Sequence, residues 1–252
     1  MAAITFFILF LMLFTLVILV MSYISIRISD YRAINRKPKK SRKKPSSWDA
    51  RAYVKKLEKA GYFKHTLPQN YSLVRNRLIL YYDHNWPFYG TIDSESTYAS
   101  ELFECSRIIL LIGYDFEWRK DKLSVLKNAF EKFDVRIDLD SIQSTYPTDD
   151  IEEITIQIED VTCYLKEDLK DTLCFERPLA YFAETLNTLL QTKHPKERLF
   201  LIGDTFDYLV FVILTDELHK LITKSTKNIS DLPLAPDKWL INQMEKRGIL
   251  TN

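Results

Sequence analysis

The chain opens with an uncharged, apolar run. From residue 2 to residue 26 it reads AAITFFILFLMLFTLVILVMSYISI, without a single Asp, Glu, Lys or Arg. A helix over this run would extend about 37 Å, which exceeds a bilayer hydrocarbon core of roughly 30 Å. The run is longer than the apolar part of a cleaved signal peptide, and no small-residue cleavage site closes it. A buried core helix is the alternative, but a helix that is apolar on every face is typical of lipid. We therefore predict an uncleaved transmembrane anchor over residues 1–28.

A basic cluster follows within residues 29–47, which we interpret as a juxtamembrane linker. Lys and Arg beside a span stay on the cytoplasmic side, so we expect the amino terminus outside and the remaining chain in the cytoplasm. The same cations suit anionic lipid headgroups. Nucleic-acid binding or nuclear import are the alternatives, but only Tyr31 offers a ring among the cations for stacking. The nine basic residues are Arg27, Arg32, Arg36, Lys37, Lys39, Lys40, Arg42, Lys43 and Lys44.

Charge and glycine usage exclude several function classes. Residues 27–44 carry a net charge of +8, and the rest of the chain carries −7, so the body is a poor match for nucleic acid. The five glycines are all more than twenty residues apart. Phosphate-cradling loops need clustered glycines, so a P-loop or a dinucleotide fingerprint is not expected. No cofactor is predicted.

The body of the chain, residues 48–252, changes from helical to strand-like spacing along its length. Apolar side chains recur at helical intervals in 48–60, 71–84, 96–107, 120–133, 179–191, 216–223 and 237–247. Alternating or continuous apolar patterns typical of strands occupy 134–140, 152–160, 161–165, 198–203 and 208–215. Residues 108–114 fit either state. Short connections between strands favour an antiparallel sheet, so we predict one α+β domain with about five strands and flanking helices.

Two segments are candidate binding surfaces. The stretch YYDHNWPFYG combines a titratable pair, Asp83 and His84, with the rings of Trp86 and Tyr89. Aromatic-rich loops with titratable groups serve recognition or catalysis, although rings also pack helix connections. A second candidate is the turn GDTFD with Asp204 and Asp207, where Asp and Gly are also what a tight turn requires.

Metal and nucleophile signatures are weak. Asp134, Asp138 and Asp140 lie on one predicted strand, which is more typical of a solvated sheet face than of converging metal ligands. None of the four histidines has a zinc-motif spacing, and the three cysteines form no C-x-x-C pair. We predict no metal site and no catalytic residues.

These patterns favour a non-catalytic, membrane-anchored protein whose cytoplasmic domain binds a protein partner. It could act as an adaptor, or as a toxin-neutralising immunity protein that blocks a basic partner with its acidic surface. One alternative is a membrane-tethered hydrolase built around Asp83 and His84. Another is a structural domain that associates with itself.

Overall fold

The computed structural model describes residues 47–80, 99–101, 107–112, 118, 120–204, 208–225 and 232–249. These residues form six helices and seven strands. The helices are α1 (Ser47–Lys59), α2 (Tyr71–Leu80), α3 (Lys120–Glu131), α4 (Glu176–Lys193), α5 (Asp216–Ser225) and α6 (Pro236–Lys246). The strands are β1 (Ala99–Glu101), β2 (Ile108–Ile112), β3 (Ile137–Thr148), β4 (Ile151–Ile158), β5 (Val161–Asp168), β6 (Glu197–Asp204) and β7 (Tyr208–Thr215).

Helix α1 ends where its sequence predicts. Gly61 has φ of +80°, the left-handed conformation that glycine adopts without a Cβ clash. Its N–H donates to the carbonyl of Glu58, and the N–H of Tyr62 donates to the carbonyl of Leu57. This pair of bonds is a Schellman motif, which satisfies the last carbonyls of the helix. The chain therefore turns sharply after α1 and brings Tyr62 into the core, where it is fully buried.

The larger sheet is antiparallel, with the strand order β1-β2-β7-β6. Alternate residues of its central strands enter two different hydrophobic cores. On one side Val210 and Val212 of β7 pack with α1, α2 and α5, and on the other Phe211 and Ile213 pack with α3, α4 and the second sheet. A sheet buried on both faces reads as a continuous apolar run, which is what YLVFVILT shows in β7.

The smaller sheet is an antiparallel meander, β3-β4-β5. Its inner face presents Ile154, Ile156 and Ile158 of β4 and Cys163 and Leu165 of β5 to the core that contains α3 and α4. The alternate residues of all three strands form an outer face that no described helix or strand covers. One-sided burial explains the alternating apolar and polar sequence of these strands.

Three sequence-based predictions need correction. The α+β class is confirmed, but the strands form two antiparallel sheets of four and three strands and not one sheet of about five. The predicted helix over 96–107 is wrong where it is described, because Ala99–Glu101 forms strand β1 against β2. The ambiguous residues 108–112 are strand β2.

The predicted single-pass membrane anchor is the third correction. No helix in the described ranges is long and apolar enough to cross a bilayer. The longest, α4, is amphipathic, with exposed Arg177, Tyr181 and Glu184 opposite its buried side. The transmembrane topology, with an outer amino terminus and a cytoplasmic domain, is therefore not supported. The segment assigned to the anchor, residues 1–28, and residues 29–46 of the linker lie outside the described residues.

Candidate functional site

Most residues singled out from the sequence lie outside the described part of the chain. This applies to Asp83, His84, Trp86, Tyr89 and Asp207, and to the nine basic residues from Arg27 to Lys44. Asp204 is the last residue of β6, and its backbone pairs with Tyr208 of β7.

The three carboxylates predicted on one strand do not share it, since Asp134 lies in the turn before β3, and they do not converge on a cation. Asp140 forms an exposed ion pair with Lys120, with 2.8 Å between Oδ1 and Nζ. Asp138 accepts the backbone N–H of Asp140 at 3.0 Å, and Asp134 lies 3.2 Å from His194. Among the described residues no group of three or more His, Cys, Asp or Glu side chains could hold a metal ion.

A buried ion pair between Arg107 and Glu197 joins three parts of the fold. The guanidinium donates from Nη1 to Oε2 at 2.8 Å and from Nη2 to Oε1 at 3.1 Å, which is a bidentate arrangement. Its remaining N–H groups donate to the backbone carbonyls of Tyr62, Ile213 and Gly61. All five donors of the arginine are thus satisfied. The pair ties the turn after α1 to the neighbouring strands β6 and β7.

His65 completes this buried cluster. Its Nε2 lies 3.5 Å from Glu197 Oε1, and its ring packs against Phe133 with 4.2 Å between centroids. Burial raises the pKa of Glu197, but interactions with His65 and Arg107 outweigh burial and hold that pKa at about 2. Glu197 is therefore ionised throughout the physiological range. A carboxylate this strongly held neither donates nor accepts a proton near neutral pH.

An open cleft of about 840 Å³ lies beside the Arg107–Glu197 pair. Its walls include the exposed cations Lys64 and Lys196 and the first turn of α5, with Asp216 and Glu217. The charges of the wall are mixed, and the one arginine has no donor left for a ligand. The cluster of Arg107, Glu197 and His65 beside this cleft therefore stabilises the fold.

A second buried carboxyl lies at the end of the smaller sheet. Glu167 of β5 is 6% exposed and accepts a hydrogen bond from the indole N–H of Trp118 at 2.6 Å. Burial raises the pKa of Glu167 to about 7, against the opposing effect of the indole, and the nearby charge of Glu152 raises it further. Glu152 lies directly opposite Glu167 across the β4–β5 ladder and accepts the hydroxyls of Ser144 and Tyr146.

The smaller sheet concentrates negative charge. Residues 137–168 contain ten acidic residues and one basic residue, Lys166, for a formal net charge of −9. Four of these carboxylates lie in the two turns that connect the strands, and the other six lie within the strands. The ten are Asp138, Asp140, Asp149, Asp150, Glu152, Glu153, Glu159, Asp160, Glu167 and Asp168.

One row of side chains across the outer face carries no charge. Backbone pairing places Gln143, Thr155 and Tyr164 in one row across the three strands, next to a row of Thr145, Glu153 and Lys166. The Tyr164 side chain is 69% exposed. It borders a shallow groove of about 360 Å³ that these two rows line. An exposed aromatic side chain thus lies on the edge strand of an open polar face, with acidic turns at both ends of the strands.

Comparison with known proteins does not identify these sites. No protein family matches the sequence, and neither curated proteins nor solved structures give a significant match.

The sequence analysis did not identify the buried Arg107–Glu197 pair or the outer face of the smaller sheet. Arg107 and Glu197 are 90 residues apart, and nothing in their local sequences links them. The acidic sheet, in contrast, could have been predicted from the sequence. The clustering of acidic residues within 137–168 is visible in the sequence, and the alternation of β4 and β5 identifies the outward residues.

Proposed function

We propose that the protein is a non-catalytic binding protein for a basic protein partner, and that the outer face of the β3-β4-β5 sheet is its docking surface. The observation that carries this proposal is an outer face that no described helix or strand covers, on a sheet whose residues 137–168 have a formal net charge of −9. Complementary charge accelerates encounter and selects against acidic partners. A toxin-neutralising protein would use such a face to block a basic toxin.

The composition of the face supports a protein interface over a simply solvated sheet. Protein interfaces have centres depleted of charge and enriched in tyrosine, surrounded by a polar rim. Here the uncharged row of Gln143, Thr155 and Tyr164 crosses the face, with Tyr164 on the edge strand β5, and the carboxylates of the two turns lie at the ends of the strands. The hydroxyl of Tyr164 makes no hydrogen bond within the described part of the chain, so its ring and hydroxyl are available to a partner.

The test compares partner recovery by two tyrosine variants of the tagged full-length protein. Tyr164 and Tyr146 belong to the same sheet and are both 69% exposed. Tyr146, however, donates to Glu152 on the inner side of the sheet and does not belong to the outer face. The proposal predicts that Tyr164→Ala lowers the affinity for the recovered partner at least about tenfold, as loss of an aromatic anchor does. Tyr146→Ala should bind as the parent does.

Charge gives a second, independent readout. Replacement of Glu153 and Asp168 by lysine should weaken binding, and raised salt should weaken binding by the parent protein. A partner that binds all these variants equally would place the interface elsewhere and overturn the proposal. A partner that is acidic overall would do the same.

A further inference from the structure

The four sheet edges of the described structure are protected to different extents. Strand β1 is only three residues long, and β3 carries two register shifts and Pro147. Leu234 covers the β6 edge by exchanging two backbone hydrogen bonds with Leu201, at 2.7 and 2.9 Å. Short length, bulges, proline and a covering segment are the usual devices that keep edge strands from pairing with other chains.

Within the described ranges, strand β5 has none of these four protections. It is eight residues long and pairs with β4 along its whole length without a register shift. Beyond this pairing it makes no backbone hydrogen bond to another described strand or helix. Its single protecting side chain is Lys166, whose positive charge is the exception in this sheet.

The turn before β5 shows which of its N–H groups face outward. Glu159, with φ of +55°, and Asp160 form a two-residue turn closed by Ile158 and Val161. The closing residues of such a hairpin bond to each other, and the direction then alternates along the strand. The N–H groups of Thr162, Tyr164, Lys166 and Asp168 therefore point to the open edge.

One exposed ring lies on the outer face of β5, and another lies on helix α4, which packs against its inner face. Tyr164 lies on the outer face. On the inner side, Cys163 Sγ lies 3.8 Å from Thr185 Oγ1 of α4, and Tyr181 precedes Thr185 by one helical turn. Tyr181 is 54% exposed and Val161, at the start of β5, is 39% exposed. A strand laid along β5 would thus find apolar surface for alternate side chains on both sides.

We propose that the open edge of β5 accepts an extended, lysine- or arginine-rich segment of a protein partner, which adds to the sheet as a fourth strand. This inference rests on the proposed function and specifies how the partner binds. Backbone hydrogen bonds provide the affinity in strand addition, and side chains provide the specificity. The acidic sheet selects a basic strand, and Lys166 is the one basic residue within 137–168.

The edge is tested with synthetic peptides and the full-length protein, by titration calorimetry at fixed salt. The probe is a ten-residue peptide of alternating lysine and threonine. One control has glutamate in place of lysine. The other keeps the lysines but is N-methylated on alternate residues, which removes the backbone donors without changing charge. The parent protein should bind the lysine peptide, and either control should bind at least about tenfold more weakly, since it lacks the charge or the hydrogen bonds.

Lys166 allows a matched pair of variants with opposite expected effects. Lys166→Ala removes a repulsive charge and should strengthen binding of the lysine peptide. Lys166→Pro removes the same charge and also an outward N–H, which edge strands tolerate, and should weaken binding at least about tenfold relative to Lys166→Ala. Thr162→Pro against Thr162→Ala repeats the comparison near the other end of the strand, and thermal unfolding confirms that each variant is folded.

The outcomes separate this inference from the proposed function. If the N-methylated peptide binds as well as its parent, or if Lys166→Pro binds as well as Lys166→Ala, strand addition is wrong while a docking role for the acidic face stands. If none of the peptides binds, the open edge is not a strand-addition site. If a partner recovered from cells binds Tyr164→Ala and the charge variants as tightly as it binds the parent protein, the proposed function itself fails.

Discussion

Arg107 and Glu197 form a two-bond ion pair across 90 residues of sequence, with side chains that are 0% and 4% exposed. Desolvation of two charges is costly, and this pair offsets the cost because every donor of the arginine is used. Removal of one partner leaves the other charge buried. The pair therefore gives the sharpest stability prediction for this fold.

Arg107→Ala should lower the free energy of unfolding by about 3–5 kcal/mol, because Glu197 and three backbone carbonyls lose their partner. Chemical denaturation measures the change. Arg177→Ala is the matched control, since Arg177 forms a 2.7 Å pair with Asp171 at the surface and should cost at most about 1 kcal/mol. The double change Arg107→Met with Glu197→Leu should recover much of the loss. Equal effects of the two single arginine changes would contradict the structural role of the buried pair.

Acid should destabilise the protein through Glu197. Its folded pKa, about 2, lies below the ordinary glutamate value of 4.5, so its contribution is present above pH 4.5 and is lost as pH falls towards 2. Unfolding free energies measured from pH 7 to pH 3 should fall. Glu197→Gln should be less stable than the parent at pH 7, and the difference should shrink at pH 3. A constant difference across this range would show that ionisation of Glu197 is not the cause.

Ionisation of Glu167 should destabilise the protein as pH rises, which is the opposite of the effect of Glu197. Its folded pKa, about 7, lies above the ordinary value of 4.5. Its contribution to the free energy of unfolding is therefore present in full below pH 4.5 and is lost as pH rises through 7. Glu167→Gln keeps an acceptor for the Trp118 indole but cannot ionise. It should stabilise the protein by about 1–3 kcal/mol at pH 8 and change little at pH 4. Thermal unfolding at both values is the measurement, with Glu153→Gln, an exposed neighbour on β4, as the control.

Gly61→Ala should destabilise the turn after α1 through backbone strain alone. A Cβ at this position would meet no atom within 4 Å, but φ of +80° is unfavourable for alanine. The expected cost is about 1–2 kcal/mol, and Gly61→Asn should cost less because asparagine tolerates the left-handed region. Ala60→Gly, at the adjacent helix end, controls for a general effect of changes at this site. A neutral result for Gly61→Ala would mean that the Schellman turn is not retained in solution.

Local sequence predicted what depends on neighbours in the chain. The period-two patterns of β4 and β5, the hairpin of β6 and β7 and the end of α1 at Gly61 follow from side-chain alternation and from the freedom of glycine. Each of these features is specified within about twenty residues, and each lies where the sequence placed it.

Long-range pairing could not be predicted in the same way. Strand β2 joins the larger sheet by pairing Ile109 with Phe211, and nothing in either local sequence chooses this partner over a strand of the smaller sheet. The assumption of one sheet followed from adjacency in sequence, and it failed at this point. Arg107 was missed for the same reason, since an arginine before an apolar strand has no local sign of burial.

The two sheets should also form at different times. The meander β3-β4-β5 closes only short loops, whereas the larger sheet must bring residues 108–112 to residues 208–212. Loop closure of that length has to be achieved before its contacts stabilise the chain. We expect amides of β4 and β5 to gain protection before those of β2 in pulsed hydrogen exchange during refolding. Until β2 docks, the apolar strand β7 has one uncovered edge, so the protein is most prone to aggregation in that interval.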